Sequence, residues 1–282
     1  MKQRVLSALI GVVLLLFCIW KIDTIIFVLG ISILCLFSSI EISDAVKNEN
    51  KLLKIVSSLF AVSVPILFGF EKIAKYNLIY VAAFAYIFVI SSIMLKDHKR
   101  ITFKIYSAMI FGTIILPLMF STIVRIGNAR YFINPEMNYF HGIYLTVFAF
   151  CCSWLTDTFA YFVGVKFGKH KMCPTISPKK SVEGAIGGFV LGIVFNTLIY
   201  VLVDKYLISL KEIPLVSIII LSGILSILGM IGDLTASVIK RNCGIKDFGK
   251  IMPGHGGFLD RFDSCIFVFP TLYFVLQFMN LK

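Results

Sequence analysis

The sequence lacks any ordered arrangement of cysteines. Its seven cysteines are odd in number and scattered, with only Cys151 and Cys152 adjacent. That sets aside a disulfide framework and a zinc-ligand pattern and leaves packing as their part. A small-x-small cleavage site is missing before Lys21, so the apolar run after Lys2 and Arg4 is expected to stay as a helix rather than leave as a secretion signal. No internal repeat divides the chain into inverted halves, which disfavours the common transporter architectures. Acidic residues are few: 15 Asp and Glu against 27 Lys and Arg give a net charge of +12. The basic excess forms no single soluble patch but rises and falls from loop to loop, so nucleic acid is not an expected partner.

What the sequence has is apolar length. It is 59% hydrophobic, and apolar runs of 16 to 24 residues recur over 5–20, 24–40, 52–70, 76–95, 103–124, 142–165, 184–203, 214–236 and 264–280. A helix needs about 20 residues to cross a hydrocarbon core. The expected fold is therefore all-α, a polytopic integral membrane protein of about nine transmembrane helices. Placing the N-terminus inside puts 19 of the 27 Lys and Arg on the cytoplasmic side, which favours an N-in, C-out protein of the cell membrane. Residues 1–140 read as scaffold and lipid-facing helices. Residues 141–282 carry the polar residues that apolar packing does not explain.

Three polar constellations stand out there. In "WLTDTFAYFVGVKFGKHK", Asp157 lies inside the sixth run, ~22 Å along a helix that starts near Gly142. An unpaired carboxylate at that depth is costly, so it reads either as a structural ion pair or as a site residue. In "CPTISPKKSVEGAIGGFVLGIVFN", Ser177 and Pro178 suit a capped first helical turn. Lys179 and Lys180 would then stand beside unsatisfied N–H groups, a phosphate-attracting arrangement; the alternative is positive-inside anchoring. Gly184, Gly188 and Gly192, four residues apart, read as a stripe for close helix packing.

The third constellation runs from Gly232 to Ser264. Asp233, Ser237, Lys240 and Arg241 share one helical face, and Asp260 and Asp263 are expected to share another at the start of the ninth run. Three carboxylates thus reach one membrane depth from two helices. Grouped carboxylates call for a cation, and hard oxygen ligands suit Mg²⁺ together with substrate phosphates. Lys240, Arg241, Lys246 and Arg261 offer charge to those phosphates. Gly254, Gly256 and Gly257 allow close backbone approach or a bending lid. His255 is ambiguous between a hydrogen-bonding or phosphate-contacting residue and a base.

The stretch "SVIKRNCGIKDFGKIMPGHGGFLDRFD", residues 237–263, closely resembles the signature of phosphatidate cytidylyltransferases, also called CDP-diacylglycerol synthases. "DTFAYFVGVKFGKHK", "ISPKKSVEGAIGG" and "GDLTASVIKR" resemble further blocks of that family, so the likeness covers residues 153–264 at motif level. It implies that CTP and phosphatidate give CDP-diacylglycerol and pyrophosphate, with Mg²⁺ required and room for a second cation such as K⁺. By the same resemblance Asp233, Asp260 and Asp263 would hold the metal centre. Lys179, Lys180, Lys240, Arg241 and Lys246 would be charge partners of CTP or the lipid, while Asp157, Glu183 and Asp247 would orient other groups. A homodimer is also implied. Two rival classes share part of this logic: a transporter of an anionic solute, and a CTP-dependent lipid or polyprenol kinase, which would release CDP rather than pyrophosphate.

Overall fold

The computed structural model describes residues 2–211, 213–252 and 256–280, and within them every apolar run is a helix. These are α1 (Lys2–Trp20), α2 (Ile25–Ala45), α3 (Lys51–Gly69), α4 (Leu78–Lys96), α5 (Phe103–Gly127), α6 (Tyr139–Phe167), α7 (Val182–Tyr206), α8 (Leu215–Asn242) and α9 (Cys265–Asn280). The seven from α2 to α8 are long and apolar enough to cross a membrane. The apolar parts of the first and last, Leu9–Trp20 and Cys265–Met279, are shorter. The class is the all-α polytopic membrane protein that the runs predict.

Local chemistry sets where the helices begin. The Asn50 side chain accepts from the Leu53 amide at the start of α3, and Thr102 accepts from Ile105 at the start of α5. Asn138 and His141 form a reciprocal capping box on α6, and Ser181 accepts from the Gly184 amide on α7. Helix α5 widens into a π turn over Phe111–Ile115, just before Pro117. The proline ring would press on the carbonyl one turn back, and the wider turn takes up that clash.

One continuous core joins the two halves of the chain, with Ile22 and Phe27, Phe120 and Phe269 all fully buried in it. Helices α6 and α7 pack at backbone distance through the glycine stripe. A Cβ at Gly188 would stand 2.6 Å from the Thr156 carbonyl oxygen, and one at Gly184 would stand 2.6 Å from that of Ala160. The approach stacks the two helices so that the end of α6 and the start of α7 meet the end of α8 and the start of α9.

Two local expectations fail in the polar region. Residues Ser177–Ser181 form a strand, β2, antiparallel to β1 (Lys171–Cys173), with Lys171 opposite Ser181 and Cys173 opposite Ser177. Ser177 and Pro178 therefore do not open a helix; the helix starts five residues later, where Ser181 supplies the cap. Lys179 and Lys180 stand on a hairpin rather than beside free helical N–H groups. Asp260 and Asp263 also do not sit in the ninth helix. Asp260 lies in a 3₁₀ turn, Leu259–Arg261, and Asp263 follows it, ahead of the first residue of α9. The two carboxylates still converge, because both face the Lys240 ammonium.

The glycine contacts yield a test. Gly188→Ala should lower stability by about 1–3 kcal/mol through overpacking. Gly223→Ala should not, because its Cβ would come no closer than 3.5 Å to any neighbour. Thermal unfolding of both variants in one detergent measures the difference, and equal melting would refute backbone-distance packing at Gly188.

Candidate active site at one end of the helix bundle

Helix α8 supplies the spine of the site. Its spacing of four, three and one places Asp233, Ser237, Lys240 and Arg241 along one side, as the sequence predicts. The Ser237 hydroxyl donates to Asp233 Oδ1 at 3.5 Å. Lys240, buried, donates to Asp260 Oδ1 at 2.7 Å, and its ammonium stands 3.7 Å from Asp263 Oδ2. Gly232 makes the second approach possible. A Cβ there would lie 2.8 Å from the Asp263 carbonyl oxygen, so only a bare backbone lets α8 come this near the start of α9.

Arg241 has a different part. Its guanidinium donates to two backbone carbonyls, Ile176 at 3.3 Å and Ile245 at 3.1 Å. It thereby staples the hairpin to the loop that follows α8, rather than meeting a carboxylate. The hairpin brings Lys180 into an ion pair with Asp233. Lys179, next to it, is exposed. Glu183 fastens the hairpin from behind: its carboxylate accepts from the amides of Lys169 and His170 at 3.1 and 3.2 Å, and the His170 ring lies 2.6 Å from Oε1. Ser177 begins β2.

The loop between α8 and α9 is organised by two carboxylates. Asp260 Oδ2 accepts from the amides of Phe248 at 2.8 Å and Gly257 at 3.0 Å, while its other oxygen takes Lys240. Glu41, reaching in from the end of α2, accepts from Phe258 at 2.7 Å and Leu259 at 2.8 Å. Gly256 has φ +90, a left-handed backbone that an L side chain would strain. Lys246, Asp247 and Arg261 are exposed around the rim. The Arg261 carbonyl accepts from the Trp154 indole at 3.3 Å. Pro253, Gly254 and His255 lie outside the described residues.

Asp157 completes the group. Its carboxyl is close enough to Asp233, Lys180 and the Ser264 side chain to interact with each. Four carboxylates, Asp157, Asp233, Asp260 and Asp263, thus face two ammonium groups, Lys180 and Lys240. Burial, followed by the nearby Asp233 charge, pushes the Asp263 carboxyl above the usual carboxylate range. The donor chemistry suits a divalent cation, whose charge would favour the ionised form of these acids. Among the described residues, however, no three ligating side chains already converge as a metal centre. Asp233 and Asp263 fit the ligand role better than Asp260, because each keeps one loosely held oxygen: Asp233 Oδ1 stands 3.5 Å from Ser237 while Oδ2 pairs with Lys180, and Asp263 Oδ2 stands 3.7 Å from Lys240 while Oδ1 accepts from the Ser264 amide, whereas both Asp260 oxygens are tightly held.

The site residue that sequence reasoning passed over is Glu41. The signal was present: an acid between Ile40 and Ile42 at the end of an apolar run, and intramembrane acids mark function by default.

Comparison with known proteins places this geometry. The model of the cytidylyltransferase family matches residues 2–279. A phosphatidate cytidylyltransferase of Bacillus subtilis is 31% identical over a 286-residue alignment that covers 98% of this chain and 97% of that protein. One from Thermotoga maritima is 37% identical over 168 residues, 57% of this chain and 62% of its own length. One from Staphylococcus saprophyticus is 46% identical over 135 residues, 48% and 50% of the two chains.

The buried ion pair yields a test. Side-chain exposure is only 10% for Lys240 and 4% for Asp260. Lys240→Gln or Asp260→Asn alone should each destabilise the protein by about 3 kcal/mol or more, because each strands a buried charge. The double variant should lose less than the sum. A denaturation series in detergent would show strict additivity if the pair were not coupled.

Proposed function

The chain is a membrane nucleotidyltransferase that belongs to the cytidylyltransferase family, and on that footing we propose that it joins CTP to phosphatidate. An oxygen of the lipid phosphate attacks the α-phosphorus of CTP, the bond from that phosphorus to the β-phosphate oxygen breaks, and pyrophosphate leaves with the bonding electrons. The products are CDP-diacylglycerol and pyrophosphate. The observation that carries this reading is the surplus of half-buried and buried carboxylates over lysines at one end of the bundle, beside a basic hairpin and a glycine-rich loop.

Asp233 and Asp263 would hold Mg²⁺, which when bound supplies positive charge to the triphosphate oxygens. The chain's own residues do the positioning. Lys180 and Lys240 are already inside the site, where their ammonium groups would meet substrate phosphates beside a bound cation. Lys179, Lys246 and Arg261 add positive charge at the rim, where a soluble triphosphate arrives. Asp260 keeps Lys240 and the loop in register, while Glu183 and Arg241 fix the hairpin. A lipid phosphate is anionic already, so its attack asks little of a general base. The site is read as facing the cytoplasm, where CTP is, in a cell-membrane protein with its N-terminus inside. The reading includes a homodimer and needs no nucleic acid.

Labelled CTP, phosphatidate and Mg²⁺ incubated with purified protein should leave cytidylyl label on the lipid and release pyrophosphate. Release of CDP with a phosphorylated lipid would identify a kinase instead. Asp233→Asn and Asp263→Asn should each lower turnover by about 100-fold or more, on the scale of losing one electrostatic contact to the transition state. Near-parental turnover would remove that residue from the cation site. Orientation is tested separately: a cysteine at Asn128 should react with an impermeant reagent from outside and one at Lys250 should not. The opposite pattern would overturn the cytoplasmic placement.

A further inference from the structure

The backbone amides of Gly257, Phe258 and Leu259 are consecutive, and carboxylates take all three. Gly257 donates to Asp260 Oδ2, and the next two donate to the two oxygens of Glu41. A run of N–H groups turned to one side is a common anion-binding concavity. Here the anions that fill it come from the chain itself, one three residues away and the other 217 residues earlier. A Cβ at Gly257 would lie 2.9 Å from Asp260 Oδ2 and 2.9 Å from Glu41 Oε1. The two acids therefore flank one bare Cα. Across from it, Gly249 leaves its own space open against the Glu41 carboxylate, where a Cβ could not fit.

Glu41 is 2% exposed, within the last turns of an apolar helix. A carboxylate in that position is expensive to bury, and the bonds given to it are two N–H donors rather than a lysine. Phe37, one turn earlier on the same helix, sets its ring 5.2 Å from that of Phe258. Helix α2 thus grips the loop by a charged contact and an apolar one, at the residues just before Asp260. Asp260 in turn holds Lys240, which stands beside Asp263.

We propose that Glu41 is a positioning residue for cytidylyl transfer: its carboxylate clamps the Phe258 and Leu259 amides and so fixes where Asp260, Lys240 and Asp263 stand. The inference rests on the reaction assigned above. It assigns to the N-terminal half of the chain a direct part in shaping the site. Glu41 touches neither substrate, and its effect passes through the loop backbone.

Glu41→Gln keeps the size of the side chain, but its amide nitrogen must face one of the two N–H donors. Turnover should fall about 10- to 100-fold, the usual cost of losing a support to a charged site. The Mg²⁺ concentration for half-maximal rate should rise, while KM for phosphatidate stays near the parent's. The loop should also loosen, so trypsin cuts full-length protein in detergent faster after Lys246 and Lys250. Gly249→Ala, which crowds the same carboxylate without removing it, should reproduce both effects if Glu41→Gln fails to insert. Parental turnover together with parental trypsin rates would overturn the proposal. So would a loss of activity accompanied by a lower melting temperature and an unchanged loop, which is the signature of simple packing. If the parent itself makes no CDP-lipid, the assigned reaction falls, and the trypsin comparison still decides whether Glu41 holds the loop.

Discussion

A carboxylate at the edge of hydrocarbon must find positive charge or hydrogen-bond donors, and this constraint organises the polar end of the bundle. Lys240 shows how strictly it applies. Its ammonium sits between Asp260 and Asp263, so the position of one lysine on α8 sets the register of the loop and of the start of α9. The bare Cα of Gly232 and the close packing of α6 on α7 matter because they bring these charges within reach of one another. Apolar burial builds the scaffold, but electrostatics decides how its polar ends are joined.

Much of this was legible in the chain because membrane crossing leaves a coarse signal. An apolar run of about 20 residues reads as a helix whatever its neighbours do, and all the runs from 5–20 to 264–280 became helices. The i, i+4, i+7 placement on α8 was equally plain, since it depends only on helical period. Ser177–Ser181 misled because Ser-Pro followed by lysines is compatible with a capped helical turn and with a short strand. The choice fell to pairing with Lys171–Cys173, a contact that no local pattern encodes.

Glu41 was hidden for another reason. Hydropathy divides the chain at the first charge, so the second run ended at residue 40, although the helix continues through Ala45. Its partners are backbone amides 217 and 218 residues away, and an amide has no residue type to search for. Asp260 shows the same limit. Its carboxyl type was legible, yet its commitment to Lys240 and to two amides comes from the fold. The sequence ranks such acids by kind; only geometry separates an acid free to take a cation from one already spent on the backbone.

The same argument explains why lysines and carboxylates are interleaved rather than segregated. With four acids and two lysines in one cluster, neither set can be moved without unbalancing the other. A cation held by Asp233 and Asp263 would compete with the lysines for the oxygens of those two acids, while Asp260 would keep its own hold on Lys240. In the proposed reaction the lysines would then stand beside the substrate phosphates. At rest the ammonium groups offset part of the acids' charge, and a divalent cation would offset more of it. In this way the contacts that partly offset the acids' charge at rest also place the groups that the proposed cytidylyl transfer requires.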